Sequence, residues 1–254
     1  MAILTAMVWS ANRGQDKVAP PISTPELGPM LPSESPRDDQ VLVNIDAPSS
    51  SVGTAFAINN TGQWMTARHV VDGCDDIGLK IGKNQTLRVK AAISQEADLA
   101  VLSSAWTRPP LPNDLNSSRQ IGEAGYFFGF PQGRPGEAIG KLLGRNRMIV
   151  RGRYTSDEAI LAWSEIGRTN GIFGSLGGLS GGPALDKDGE IIGVVTAESP
   201  RRGRIYTVAP LHLRNHIKPQ NIKTNPLKLS AYAPIADQLR RDRRIVQVIC
   251  MVRS

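Results

Sequence analysis

Ser180 stands between two glycine pairs and ahead of a proline, in Gly177-Gly178-Leu179-Ser180-Gly181-Gly182-Pro183. A serine hydroxyl is a weak nucleophile until a neighbouring base takes its proton. Glycines around it let the backbone turn sharply and leave N–H groups uncovered. Such donors can hold the oxyanion of a tetrahedral intermediate. In isolation a plain Gly-rich turn between strands reads the same way. Two residues upstream supply the other parts. His69 closes Trp64-Met65-Thr66-Ala67-Arg68-His69, at the end of an apolar segment that starts at Gly53. A neutral imidazole is a general base near pH 7. Asp98 opens the apolar run Leu99-Ala100-Val101-Leu102, and a carboxylate can orient an imidazole and stabilise its charged form. Taken singly, His69 reads as a core histidine and Asp98 as a strand-end cap.

The elements that must position these groups read as strands. Val41 to Ile45, Gly53 to Ile58, Gln63 to Thr66, Ile77 to Ile81, Leu87 to Ile93 and Leu99 to Leu102 are short apolar or β-branched runs. Asn59-Asn60-Thr61-Gly62 between the second and third is a hairpin turn by its Asn and Gly content. Arg108-Pro109-Pro110-Leu111-Pro112 and the polar run to Ser118 read as a connection between two lobes. A second set of runs follows: Gly125 to Phe130, Lys141 to Val150, Ala159 to Trp163, Ala184 with Leu185, Glu190 to Thr196 and Arg204 to Val208. A chain of 254 residues with 25 glycines, 18 prolines and few helical periods fits one all-β domain of two lobes.

The formal net charge of +7 reads as a solvated basic surface. It is accompanied by no nucleic-acid motif, so no nucleic-acid partner is expected. Two cysteines without a Cys-x-x-Cys and only three histidines argue against a metal site, and no cofactor is expected. Met1 to Ala11 is apolar but too short to span a bilayer, and reads as the remnant of an export signal or membrane tether. Residues 1–40 thus divide into that stub and a Pro-rich linker, extended and mobile by composition.

The order His69, Asp98, Ser180 around a Gly-x-Ser-Gly-Gly-Pro core resembles the trypsin-like (chymotrypsin-fold) serine peptidases. Thr66-Ala67-Arg68-His69-Val70, Asp98-Leu99-Ala100-Val101-Leu102 and Gly189-Glu190-Ile191-Ile192-Gly193-Val194-Val195-Thr196-Ala197 are most similar to the bacterial HtrA-like branch. The resemblance covers roughly Val41 to Ile217. It implies two six-stranded antiparallel β-barrels with the active site between them, lobe one about 41–108 and lobe two about 119–217. Residues 218–254 form a C-terminal extension outside that core, expected to pack back on the domain and without a PDZ-like continuation. The implied activity is endopeptidase cleavage of polypeptides through an acyl-enzyme, in a periplasmic or secreted setting, with an N-terminal tether. The oligomeric state is not legible.

The same resemblance implies an oxyanion hole from the N–H groups of Gly178 and Ser180. It places substrate main chain along Thr196, Ala197 and Glu198, and walls the specificity pocket with Gly174, Ser175 and Glu198. Thr196 falls where the family supports its aspartate with a hydroxyl. Glu198 reads either as a polar lining of the pocket or as a solvent-facing residue. One departure stands out: Leu179 occupies a position where activated trypsins carry an aspartate that pairs with a newly cut N-terminus, and HtrA-type enzymes commonly an asparagine. Activation by N-terminal insertion is therefore not expected, and the resting state of the oxyanion loop is left open. Trypsin-like enzymes often anchor the segment beside this histidine with a disulfide. Cys74 lies close after His69, and Cys250 lies in a terminal β-like run that would otherwise fray. A Cys74–Cys250 bond is expected on these grounds, with two unrelated thiols as the other reading.

Two different readings remain. Gly178-Leu179-Ser180-Gly181-Gly182 also fits the nucleophile elbow of α/β-hydrolases, which would require Asp186 or Asp188 with His212 and an alternation of strands and helices. A catalytically silent peptidase-fold module that binds peptides or protein partners is the other.

Overall fold

The computed structural model describes residues 27–218 and 232–253. The apolar stub Met1 to Ala11 and the first part of the Pro-rich linker lie outside them. In chain order the strands are β1 (Gln40–Ile45), β2 (Ser51–Ala57), β3 (Gln63–Thr66), β4 (Asp76–Lys80), β5 (Thr86–Arg88), β6 (Lys90–Ile93), β7 (Ala100–Ser103), β8 (Ala124–Gly129), β9 (Gly136–Gly152), β10 (Ser156–Arg168), β11 (Pro183–Leu185), β12 (Ile191–Ser199), β13 (Arg204–Val208) and β14 (Ile245–Met251). Three short helices interrupt them: α1 (Arg68–Val71), α2 (Pro210–Leu213) and α3 (Tyr232–Arg241).

The strands form two curled sheets, as expected of a double β-barrel. One runs β5-β4-β14-β2-β3-β7-β6, and its two ends are joined through Val89 alone, so β5 and β6 act as one bent strand that closes the lobe. The other runs β1-β9-β10-β13-β12-β11-β8 and closes through a further β8–β9 pairing. The hairpin between β2 and β3 turns on Asn59, whose Oδ1 accepts from the N–H groups of Thr61 (2.9 Å) and Gln63 (3.1 Å).

Three details depart from the expected layout. β1 does not belong to lobe one: it pairs in parallel with β9, Gln40 beside Arg147 through Ile45 beside Gly152, so the sheets are not wholly antiparallel. Its alternation explains the choice, since Val41, Val43 and Ile45 pack on Met148, Val150 and Tyr154 while Leu42 faces solvent. The linker is not all free: Gly28 N–H donates to Ile121 O (2.8 Å) and Leu31 N–H to Arg119 O (2.7 Å), which lays this stretch on lobe two.

The third departure is the C-terminal extension. β14 is an inner strand of lobe one, antiparallel to β2 (Ile245 opposite Phe56) on one edge and to β4 (Val248 opposite Leu79) on the other. The boundary at 217 therefore divides the barrel rather than ending it. Ile245 and Leu239 join Phe56, Met65, Leu99, Phe128 and Val208 in a core shared by both lobes. Fully burying side chains of this kind stabilises by about 1.5–3 kcal/mol each, so the extension is integral to the fold. Cys74 and Cys250 are bonded to each other, with Cα atoms 5.5 Å apart, and tie β14 to the segment after α1.

Candidate active site

The site lies where the nucleophile loop of lobe two meets β2 and α1 of lobe one. His69 sits on α1, the single turn that follows β3. Its Nδ1 is 2.7 Å from Asp98 Oδ2, and its backbone N–H donates to Asp98 Oδ1 (2.8 Å). Asp98, in the loop between β6 and β7, is buried. Its carboxylate also accepts from the hydroxyls of Thr196 and Tyr154, the latter at 3.0 Å. Burial would raise the Asp98 pKa, but the charge of His69 and the His69 and Thr196 hydrogen bonds outweigh it and hold the carboxyl below its ordinary range. Burial would lower the His69 pKa, but the Asp98 charge and hydrogen bond carry it above the ordinary histidine value.

Ser180 is brought beside this pair by its backbone. Its carbonyl accepts from Thr54 N–H of β2 (2.8 Å), and Gly181 N–H and Gly182 O are paired with Val195. Gly181 has φ +83°, and a Cβ there would lie 2.2 Å from Thr66 Oγ1 and 2.8 Å from the N of Ala67, the residue that opens the His69 helix. Only glycine permits this approach. The Ser180 hydroxyl makes no hydrogen bond among the described residues.

The loop ahead of the serine is held from several sides. Gly178 has φ +96° and abuts Phe130 O, which a Cβ would meet at 2.5 Å. Thr54 Oγ1 donates to Gly178 O (2.8 Å) and accepts from Phe130 N–H (3.1 Å). Gln132, itself at φ 53°, donates its N–H to Gly177 O (2.5 Å) and its Nε2 to Phe173 O (2.6 Å) and Ser175 O (2.9 Å). Because a trans peptide points its C=O and N–H oppositely, the Gly178 N–H faces away from Gln132. Neither it nor the Ser180 N–H donates to any described residue.

Among the residues assigned to substrate, Glu198 lines the small cavity beside Ser180, but its carboxylate is engaged by the nucleophile loop. Its carboxylate accepts from Leu176 N–H (2.9 Å) and from the Ser175 hydroxyl, stapling β12 to the nucleophile loop. A cavity of about 20 Å³ beside Ser180 is lined by Leu176, Gly177, Leu179, Val195, Ala197, Glu198 and Ile205. Gly174 and Ser175 are not among its walls; Gly174 O instead accepts from Arg168 (2.8 Å). β11 begins at Pro183 opposite Val194, and beyond the pairing of Val195 with Gly181 and Gly182 no strand among the described residues covers the β11 side of Thr196–Glu198. Leu179 is buried in the apolar cluster that also holds Phe127, Ala138 and Ile192.

The elbow reading fails on this geometry. Asp186 is engaged by Arg119 (3.5 Å) and by the N–H groups of Asp188 and Glu190 (3.0 Å each), while His212 lies beside Glu34 and Arg147. Thr54, Gln132, Arg153, Tyr154 and Glu158 were not marked by sequence reasoning. Thr54 and Glu158 carried one faint signal, a polar residue inside or at the mouth of an apolar run, the same pattern that marked Asp98.

The model of the trypsin-like peptidase domain matches residues 53–194. The chain belongs to that family. A probable periplasmic DegP-like serine endoprotease of Halomonas elongata is 28% identical over 160 residues, covering 60% of this chain and 31% of the relative. Its namesake in Hahella chejuensis is 25% identical over 199 residues, 76% of this chain and 40% of the relative. The chain thus spans less than half the length of these curated relatives. Among solved structures, the active form of the Rv3671c protease from M. tuberculosis superposes with TM-score 0.53 at 15% identity, over 76% of this chain and 96% of that one. The HtrA-type protease AlgW with a decapeptide gives TM-score 0.50 at 22% identity, over 64% and 50%. These likenesses show a fold of the HtrA protease type.

Proposed function

We propose that this chain is a serine endopeptidase that cleaves polypeptides through an acyl-enzyme. The observation that carries the reading is the contact between half-buried His69 and buried Asp98 at 2.7 Å, next to a loop whose serine hydroxyl is unengaged among the described residues. Ser180 Oγ attacks the scissile carbonyl as its proton passes to His69 Nε2. Asp98 keeps the other imidazole proton on Nδ1 and stabilises the imidazolium. The N–H groups of Gly178 and Ser180 donate hydrogen bonds to the developing oxyanion. His69 then gives its proton to the leaving amine, the C–N bond breaks, and water releases the acyl group by the same steps in reverse.

The unpartnered side of Thr196–Glu198 receives substrate main chain as an added strand. The small cavity beside Ser180, walled by apolar side chains and by Glu198, takes the side chain preceding the cleaved bond, which is therefore expected to be small. A Cys74–Cys250 bond and the names of the DegP-like relatives support an oxidising setting outside the cytoplasm.

An alkyl fluorophosphonate, which reacts only with an activated serine, tests the reading. Purified protein is expected to take up one label at Ser180, and Ser180→Ala none. Absence of labelling in the unmodified chain would favour the catalytically silent, peptide-binding module.

A further inference from the structure

The turn between β9 and β10 belongs to lobe two, yet it grips the histidine and the aspartate supplied by lobe one. Arg153 donates from Nε to Asp72 Oδ2 (3.1 Å) and from its terminal nitrogen to the carbonyl of His69 (3.2 Å). Tyr154 OH donates to Asp98 Oδ1 (3.0 Å), and the Arg68 guanidinium lies over the Tyr154 ring at 3.7 Å. Glu158 Oε1 accepts from the backbone N–H of Asp98 (2.8 Å). Three residues within one hairpin thus contact the side chain of Asp98, the backbone of Asp98 and the backbone of His69. Glu158 and Tyr154 are buried, and Glu158 Oε2 has no partner.

We propose that Tyr154 and Glu158 are positioning residues: they hold Asp98, and through it His69, in working orientation, so that the catalytic pair depends on the docking of the two lobes. The proposal rests on the triad reading and goes beyond it. Removing the Tyr154 hydroxyl leaves Oδ1 of a buried carboxylate with the His69 N–H as its remaining donor. Removing the Glu158 acceptor strands the Asp98 N–H in a site without water access. Burial, with the Asp98 carboxylate beside it, pushes the Glu158 pKa well above the ordinary carboxyl range. What the Asp98 N–H requires of Glu158 is an acceptor oxygen (2.8 Å), and a glutamine, which keeps the carbonyl oxygen, is expected to supply it.

Three variants test this: Tyr154→Phe, Glu158→Gln and Glu158→Leu, each checked for folding by thermal unfolding. Tyr154→Phe and Glu158→Leu are expected to lower kcat on a peptide substrate by about 10- to 100-fold, the weight of one hydrogen bond to a charged or buried partner, with KM nearly unchanged. Glu158→Gln is expected to retain kcat. In proton NMR of the uncleaved protein, the far-downfield Nδ1–H resonance of His69 is expected to move upfield or broaden in the first two and to stay in the third. Tyr154→Phe with unchanged kcat and an unmoved resonance would overturn the proposal, as would Glu158→Gln losing as much as Glu158→Leu. The resonance reports the His69–Asp98 bond whether or not the chain cleaves peptides. Failure of the peptidase reading, seen as no fluorophosphonate labelling, is thereby distinct from failure of this proposal.

Discussion

The N–H of Gln132 donates to the carbonyl of Gly177 at 2.5 Å, and this bond sets the direction of the peptide that carries the Gly178 N–H. Nothing in the loop's own sequence does so, because Leu179 offers no charge to tether it. The loop is instead tied to lobe two by Gln132 and Glu198 and to lobe one by Thr54. The Gly178 and Ser180 N–H groups have no partner among the described residues, and the bonds that hold the loop come from neighbours outside the motif.

Gln132→Ala keeps the backbone N–H but deletes the side-chain bonds to Phe173 and Ser175. Turnover is expected to fall roughly tenfold, less than the 10²–10³ that follows outright loss of an oxyanion donor. Steady-state kinetics on a peptide substrate checks this; unchanged kcat would mean that the backbone bond alone holds the loop.

Leu179→Asp would place a carboxylate in the buried apolar cluster that holds Phe127, Ala138 and Ile192. The expected cost is on the order of several kcal/mol, as for an uncompensated buried charge. A thermal midpoint that stays within about 2 °C of the parent, against a shift of roughly 4 °C or less per kcal/mol for chains of this size, would show that the loop can turn this residue outward.

Ser180→Ala is expected to lower turnover by roughly 10⁴ to 10⁶ while leaving stability intact. The residue is held through its carbonyl, which alanine keeps. Activity above about a tenth of the parent would remove Ser180 from the nucleophile's role.

The pH profile follows from His69. Its pKa is raised above the ordinary value of about 6.5, and only the neutral imidazole takes the serine proton. kcat/KM is therefore expected to rise with pH, with its limb centred above about 6.5. A limb centred below that value, with acyl transfer rate-limiting, would contradict the Asp98 pairing as the dominant influence.

Reduction of the Cys74–Cys250 bond opens a loop with a sequence separation of 176. Chain-entropy reasoning assigns such a closure roughly 4 to 5 kcal/mol. Denaturant titration with and without reductant is expected to show the midpoint fall, and Cys250→Ser should match the reduced protein. Equal midpoints would mean that the β14 pairings hold the strand unaided.

The motifs that carry chemistry were legible in the sequence because each is local. A glycine-flanked serine, an imidazole at a strand end and an acid at the mouth of an apolar run keep their signatures over a few residues. The strand pattern was legible for the same reason, since apolar runs and turn residues are short-range features; even β14 was visible as a β-like run. What joins them was not. β1 read as the first strand of lobe one because it precedes β2 in the chain, yet its apolar face fits Met148, Val150 and Tyr154 of lobe two. β14 read as an appendage because it comes last, yet β2 and β4 leave a place between them that only an added strand can fill. Glu198 was legible as a lining residue, but its bonds to Ser175 and Leu176 were not, because a carboxylate's partner on a distant segment leaves no trace in spacing. Tyr154 and Glu158 lie 56 and 60 residues from Asp98. Hydrogen bonds over such separations exist only after the lobes dock, so they were decided by the tertiary structure alone.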